Sequence, residues 1–308
     1  MPARLFIDGE AGTTGLGIKE RLAERSDIEL VSLPAEDRKN EEAKRAVYAS
    51  VDLAILCLPD DAAREAVALT EDLGARAPRL LDASTAHRTT PGWTYGFPEL
   101  TQGQAEAIKT APRVANPGCY ATGAIALLRP LVEAGFVPSD WPVSIHAVSG
   151  YSGGGKSMIA AYEAGTAPAF EAYALGLGHK HVPEIMAYGR LAQRPIFTPS
   201  VGNFRQGMLV FIPLFLDALP RHPKIEDLSA VFAAHYAGST FVHVRQADGL
   251  ERLEPQALNG TNELELFVCG PQGGHQAVLA ARLDNLGKGA SGAALQNVEL
   301  MLGLAPQG

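Results

Sequence analysis

The sequence predicts an α/β protein in two parts: a doubly wound parallel sheet flanked by helices, then an α+β part. Three observations carry this. Short apolar strand runs alternate with helical patterns up to about residue 115. A glycine-rich turn joins the first strand to the first helix. Beyond Cys119 the strand runs lengthen and lose their regular alternation with helices.

Taken in order, Arg4–Asp8 reads as a strand, Gly9 to Gly17 as the turn, and Ile18–Ala23 as the continuing helix. Ile28–Leu33 is a second strand, so the start is a βαβ unit, which implies a parallel pair and a right-handed crossover. Val51–Leu58 is a buried strand ended by Pro59; Asp60–Leu73 is helical, and Arg79–Asp82 is a short strand. In the second part Cys119–Ala134 has helical apolar spacing at Ala124, Leu127, Leu128 and Leu131. Val143–Val148, Gly207–Leu216, Phe241–Val244 and Glu263–Val268 read as strands of a mixed or antiparallel sheet. Gly289–Leu302 is helical and rich in small residues. No repeat, low-complexity tract or Pro/Ser-rich linker interrupts the chain.

The composition fits a folded enzyme. Of 308 residues 46% are hydrophobic and 19% charged, enough apolar material for a large core and against global disorder. The longest apolar run, Met208–Leu219, contains Pro and Asp and falls short of the roughly 18 residues of a membrane span. The start MPARLFIDG lacks a signal-peptide core, so a cytoplasmic location without membrane attachment is expected. With 26 Lys plus Arg against 34 Asp plus Glu, the formal net charge is −8, which speaks against a generic nucleic-acid binder. Three cysteines form neither a disulfide framework nor a zinc spacing, so no metal is expected.

Gly9, Gly12 and Gly15 follow a strand and open a helix. Glycines there let the backbone approach a pyrophosphate, and the helix start offers N–H groups and a positive dipole end. The alternative is a tight turn without ligand. After the second strand come Ser32, Arg38 and Lys39 rather than a lone acid, which favours NADP(H) and its 2′-phosphate, although Glu36 and Asp37 stand close by.

Asn116-Pro117-Gly118-Cys119 places Cys119 at a helix start, where the dipole and unpaired N–H groups favour a thiolate and can hold an oxyanion. Cys57 lies in an apolar run and Cys269 follows a strand; both read as packing residues. His179-Lys180-His181-Val182-Pro183-Glu184 offers two imidazoles and a carboxylate able to orient one of them, and Pro183-Glu184 resembles a helix start. Gly150 to Ser157 has formal P-loop spacing, Gly, four residues, then Gly-Lys-Ser. It follows a strand not expected to open a βαβ unit and has no acidic partner strand, so it reads as an anion-binding loop with Lys156 as its charge.

These segments together resemble the short-form N-acetyl-gamma-glutamyl-phosphate reductases over nearly the whole length. The resemblance rests on Gly9/Gly12/Gly15, Leu81-Asp82-Ala83-Ser84 with Arg88, Gly96-Phe97-Pro98-Glu99-Leu100 and Asn116–Tyr120. It continues through Ser149–Gly153, His179-x-His181-x-Pro183-Glu184 and Asp284–Ala294 with Gln296-Asn297. His87 departs from it, standing where many relatives carry an aromatic. The resemblance implies a Rossmann-type NADP-binding domain, residues 1–117 and 285–308, with the C-terminal helix returning to it. Residues 118–284 would form a catalytic and oligomerisation domain like those of semialdehyde and glyceraldehyde-phosphate dehydrogenases. The implied reaction is NADPH-dependent reduction of an acyl phosphate to an aldehyde in arginine biosynthesis, by a homo-oligomer (dimer or tetramer).

Under the same resemblance Cys119 is the nucleophile. His179, oriented by Glu184, is the acid/base, with His181 as the alternative. Cofactor contacts fall to Gly9, Gly12, Thr13, Thr14, Gly15, Ser32, Arg38, Lys39, Ser84, Asn285, Gly287 and Lys288. Substrate contacts fall to Arg88, Asn116, Ser149, Gly150, Tyr151, Lys156 and His181. A relative acting on another acyl phosphate, a non-catalytic NADP-binding regulator and a P-loop NTPase are the competing readings.

Overall fold

A computed structural model of the chain describes residues 2–23 and 25–306. The elements begin with Ala3–Asp8 (β1), Thr13–Leu22 (α1), Ile28–Val31 (β2), Glu41–Tyr48 (α2), Leu53–Leu56 (β3) and Asp60–Glu71 (α3). Arg79–Asp82 (β4), Thr94–Tyr95 (β5), Gln104–Thr110 (α4), Arg113–Ala115 (β6) and Cys119–Glu133 (α5) follow. Then come Ser144–Gly150 (β7), Gly155–Glu163 (α6), Phe170–Ala172 (β8), Val182–Gly189 (α7), Ile196–Gly202 (β9) and Met208–Phe215 (β10). Ile225–His235 (α8), Val242–Arg245 (β11), Leu264–Cys269 (β12), Gln276–Leu283 (β13) and Gly292–Leu302 (α9) complete the chain.

The chain divides into two compact units, 1–98 with 103–117 and 290–308, and 99–102 with 118–289. Residues 285–289, grouped above with the dinucleotide-binding part, pack with the second unit.

The first unit is a parallel sheet in the order β2-β1-β3-β4-β6-β5. Its strands are buried on both faces, as parallel strands covered by helices must be. Leu5, Ile7, Leu53, Ile55 and Leu81 face a core shared with Ile18 and Leu22 of α1. Phe6, Ala54, Leu56 and Leu80 face a second core with Tyr48, Ala66 and Val67. Each such Leu, Ile, Val or Phe side chain contributes about 1.5–3 kcal/mol of burial. The C-terminal helix does return here: Ala294, Leu295, Val298 and Met301 complete the first core. The buried Arg25 guanidinium also holds Glu299 at 2.6 Å.

The second unit is a seven-stranded mixed sheet, β11-β12-β13-β10-β7-β9-β8. Helix α5 lies on it, with every residue from Tyr120 to Leu131 buried. Gly123 permits this approach, since a Cβ there would stand 2.8 Å from Val210. The other face of the sheet exposes Ile196, Phe215 and Val278, which the strand register puts on one side with His146 and Pro213.

Five strands escape the sequence reading: the short β5, β6 and β8, and the longer β9 and β13. β9 contains Pro199 and β13 reads Gln-Ala-Val-Leu-Ala-Ala-Arg-Leu, neither a strong strand former. Their neighbours supply the hydrogen bonds that propensity does not predict: β13 is paired on both sides, to β10 and β12. The expectation for β7 also changes. It is parallel to its neighbour β9 and joined to it through α6, β8 and α7, so it does open a parallel crossover.

Candidate active site

Cys119 is the first residue of α5 and is half-buried. The N-cap is Gly118, extended at φ −80° and ψ 147°, which has no side chain to cap the helix. The positive end of the longest helix in its unit therefore meets the thiol directly. The Gly118 N–H donates to Glu184 at 3.1 Å. Glu184 is buried in the first turn of α7, where Pro183 also sits, as the Pro-Glu sequence predicts.

The His179/His181/Glu184 set gathers at this helix start. The Tyr120 ring, one residue beyond the cysteine, lies 5.8 Å from the His179 ring and 5.9 Å from that of His181, centroid to centroid. The two imidazoles cross at 4.7 Å. The His181 backbone N–H donates to His179 Nδ1 at 3.1 Å. A neutral His179 therefore carries its proton on Nε2, and Nε2 stands 3.3 Å from the Tyr173 hydroxyl. Glu184 was expected to orient an imidazole; the one beside it is His181, whose Nε2 is 3.9 Å from the carboxylate.

The sequence reading missed two members of the site. Burial pushes the Tyr173 hydroxyl up to about 12, with Cys119 adding to the effect, so it remains a proton donor through neutral pH. Gly289 lies against the cysteine: a Cβ there would be 2.8 Å from the Cys119 Cβ. Tyr173 carries no local signal, because it joins the site through the fold of the 170–179 segment. Gly289 was quoted only as one residue of a C-terminal motif. The other cysteines are unlike Cys119. Burial, then Asp82 and Asp8, push the Cys57 thiol up to about 12, and burial raises that of Cys269.

The second glycine loop is less open than its P-loop spacing suggests. The N–H groups of Gly150, Tyr151 and Ser152 donate to the carbonyls of Gly207, Phe204 and Arg205. They are spent on the segment between β9 and β10 and cannot cradle a phosphate. Gly150 is a packing glycine, since a Cβ there would be 2.6 Å from the Arg205 carbonyl oxygen. The buried Ser149 hydroxyl donates to the Gly150 carbonyl at 3.0 Å. Tyr151 stacks on Tyr162 at 4.9 Å. Lys156 is exposed in the first turn of α6.

Three expected cofactor contacts fall in the interior of the second unit instead, a correction to the sequence reading. Asn285 accepts from the Gly207 N–H and donates to Ser152 Oγ at 2.9 Å. A Cβ on Gly287 would overlap the Thr261 carbonyl. Lys288 is 1% exposed, with Nζ 2.9 Å from both Glu99 oxygens and 5.3 Å from the centre of the Phe241 ring. Burial pulls its ammonium down and Glu99 pulls it back up, so the charge serves this pair.

In the first unit the glycine turn separates into fold and ligand requirements. Gly9 has φ +91°, and a Cβ there would overlap the Cys57 carbonyl. A Cβ on Gly15 would lie 2.5 Å from the Gly9 oxygen. Gly12 has room, at 3.4 Å. The first and third glycines are thus demanded by the turn and the helix–strand packing, and the middle one leaves its backbone open to approach. Gly12 caps α1 without any side-chain bond, so the first turn, with Thr13 and Thr14, offers its N–H groups.

A cavity of about 330 Å³ adjoins this turn beyond the carboxyl ends of β1, β2 and β3, lined by Asp8, Glu10, Leu33, Arg38, Lys39 and Lys44 among others. This is the switch point of the sheet, between β1 and β3, where ligands of such folds bind. Uncapped helix start, open glycine and basic wall fit a dinucleotide phosphate.

Asp82 organises the neighbouring loop. Its buried carboxylate accepts from the Ser84 N–H and hydroxyl, both at 2.8 Å, and is 2.6 Å from His87 Nδ1. His87 stacks on Trp93 at 4.3 Å, so its flat ring fills an aromatic's place. Arg88 Nε donates to the Asn116 carbonyl at 3.0 Å. The Asn116 amide is held by Ala290 and Asn297. Ser84 and Asn116 are therefore internal ties of this loop. Among the described residues no group of His, Cys, Asp or Glu is arranged to hold a metal ion, and no helix is long and apolar enough to cross a membrane.

The fold occurs in known proteins. Residues 119–285 match the semialdehyde dehydrogenase dimerisation domain. An aspartate semialdehyde dehydrogenase II from Vibrio cholerae, complexed with ASA, shares the fold at TM-score 0.73 and 15% identity, covering 98% of each chain. An aspartate semialdehyde dehydrogenase with NADP from Candida albicans does so at TM-score 0.65 and 14% identity, covering 98% of this chain and 99% of that one. The sequence itself is much nearer to proteins named N-acetyl-gamma-glutamyl-phosphate reductase. That of Brucella suis is 53% identical over 98% of this chain and 100% of its own length, and that of Brucella anthropi is 52% identical over 98% and 99%. At such identity over such coverage the family is shown, and the chain belongs to the N-acetyl-gamma-glutamyl-phosphate reductases.

Proposed function

We propose that the protein reduces N-acetyl-L-glutamyl 5-phosphate to N-acetyl-L-glutamate 5-semialdehyde and phosphate with NADPH, a step of arginine biosynthesis in the cytoplasm. The observation that carries this reading is the gathering of His179, His181 and Tyr173 at the start of α5, where Cys119 stands.

His179 takes the thiol proton on Nδ1, which gives up its bond from the His181 N–H, and the Cys119 thiolate attacks the acyl carbonyl. N–H groups of the first turn of α5 hold the oxyanion. The carbon–oxygen bond to phosphate breaks, phosphate leaves with the electron pair and the His179 proton, and a thioester remains on Cys119. NADPH, when bound, supplies the hydride that reduces this thioester. His179, reprotonated from solvent, then protonates the thiohemiacetal oxygen and removes that proton as the C=O bond re-forms and the C–S bond breaks, which restores the thiolate. Tyr173 partners the other nitrogen, Nε2, and keeps that ring proton in place. Glu184 fixes both the start of α5 and His181. Lys156, Tyr151 and Arg88 are the proposed substrate contacts.

The dimerisation-domain match points to self-association. We assign it to the sheet face that exposes Ile196, Phe215 and Val278, in a dimer or tetramer. The activity is tested in reverse, with N-acetylglutamate semialdehyde, phosphate and NADP followed at 340 nm as order-of-magnitude turnover, about 1–10³ s⁻¹ for a working enzyme. Absence of phosphate-dependent NADPH formation overturns the reading, and a faster rate with aspartate semialdehyde would transfer it to another acyl phosphate.

A further inference from the structure

The cation that the sequence offers to a 2′-phosphate already holds an anion of the chain itself. Glu10 lies in the turn between β1 and α1. Its Oε1 accepts from the Arg38 guanidinium at 2.6 Å. Its Oε2 accepts from Lys19 Nζ at 2.7 Å and from the Ser32 hydroxyl at 3.1 Å. These donors come from three separate stretches: α1, the end of the second strand and the turn at 35–39. The backbone beneath is held close, since a Cβ on Gly15 would stand 2.9 Å from the Glu10 Cα. The Lys19 bond draws the Glu10 carboxyl below its ordinary value, so it is ionised at neutral pH.

Guanidinium, ammonium and hydroxyl converging on one anion is the bonding pattern that a phosphate monoester asks for. The carboxylate side chain occupies that pattern on the wall of the cavity described above.

We propose that Glu10 is a cofactor-specificity residue, an internal anion that keeps Arg38, Lys19 and Ser32 in a phosphate-receiving arrangement and is displaced by the 2′-phosphate of NADPH. The proposal rests on reading Arg38 and Ser32 as 2′-phosphate contacts. It has a directional consequence. Displacement opposes NADPH binding, whereas a cofactor without the 2′-phosphate leaves Glu10 where it is. Removing the Glu10 charge tightens NADPH and leaves NADH almost unchanged.

The test is a fluorescence titration of the full-length protein with NADPH and NADH, for wild type, Glu10→Gln, Glu10→Ala, Arg38→Ala and the Glu10→Gln/Arg38→Ala pair, each checked for unaltered melting. Expected at low ionic strength is a Kd for NADPH about five- to tenfold lower in both single Glu10 variants, as for one unit charge removed near a solvated site. The Kd for NADH should change by less than about twofold, and the gain should shrink as salt shortens the screening length to roughly 3 Å at 1 M. Arg38→Ala should weaken NADPH, and Glu10→Gln should add much less on that background. If Arg38→Ala weakens NADPH while the Glu10 variants leave the NADPH/NADH ratio unchanged or lower it, the Glu10 proposal is overturned alone. If Arg38→Ala binds NADPH like wild type, the underlying reading of Arg38 falls.

Discussion

The residues that shape the ligand seat of the first unit run from Phe6 to Ala62, whereas the thiol site of the second unit draws on Gly118, Cys119, Tyr173, His179, Glu184 and Gly289. The first rests on the βαβ start, closed by Leu58 and Ala62 beyond β3, and its shape follows largely from local chemistry: where glycine must stand, and where a helix start points its N–H groups. The second is assembled by packing α7 and the 170–179 segment against the start of α5. A locally built site tolerates damage elsewhere in the chain. An assembled one depends on every contact that holds its parts together.

The sharpest way to break the comparison is to remove the thiol. Cys119→Ala should lower turnover at least about ten-thousandfold. NADPH affinity, a property of the first unit, should stay at its wild-type value by titration. Next in size, His179→Asn should cost about a hundred- to ten-thousandfold in kcat, and His181→Asn less. A larger loss at His181 would move the acid/base role to that residue. Gly289→Ala tests assembly itself. The added methyl would press on the Cys119 Cβ, and a misplaced nucleophile should lose about a hundredfold in kcat, beyond the about 1–3 kcal/mol of stability that the overpacking costs.

In the first unit the glycines should separate. Gly15→Ala forces a methyl against the Gly9 carbonyl and should cost about 1–3 kcal/mol of stability, read by denaturant melting. Gly12→Ala should fold normally and raise the NADPH Kd about tenfold or less, since a methyl stands where the backbone would meet a phosphate. The smallest effect concerns the inert thiol. Cys57 is raised from 9.0 to about 12 in the folded chain, so the unfolded chain loses its proton first as pH rises. Its contribution is intact below about pH 9 and fades towards pH 12. Cys57→Ala should flatten that alkaline decline in melting temperature, and an unaltered slope would count against the buried-thiol account.

Some of this was legible from residues alone. The βαβ start, the glycine-rich turn, the cysteine at a helix start and the Pro183-Glu184 helix entry follow from short-range sterics and capping, which neighbours in sequence control. The apparent P-loop at Gly150 to Ser157 shows the limit. Its spacing is correct, yet its first three N–H groups, those of 150–152, are taken by the carbonyls of 207, 204 and 205, which no local pattern announces. Asn285 and Lys288 misled for the same reason: a polar residue in a conspicuous motif can be satisfied in the interior, as Lys288 is by Glu99.

What the sequence by itself determined is therefore the set of groups and the backbone shapes they need: a thiol, two imidazoles, a glycine turn and a basic stretch after the second strand. Tertiary structure alone decided how they combine. It put Glu184 beside His181 and Gly118, brought Tyr173 to His179, laid Gly289 against Cys119 and closed Arg38 on Glu10. The reason is physical. Conformational preference acts over a few residues, but a hydrogen bond or ion pair is settled by which partners the packed core leaves within about 3 Å.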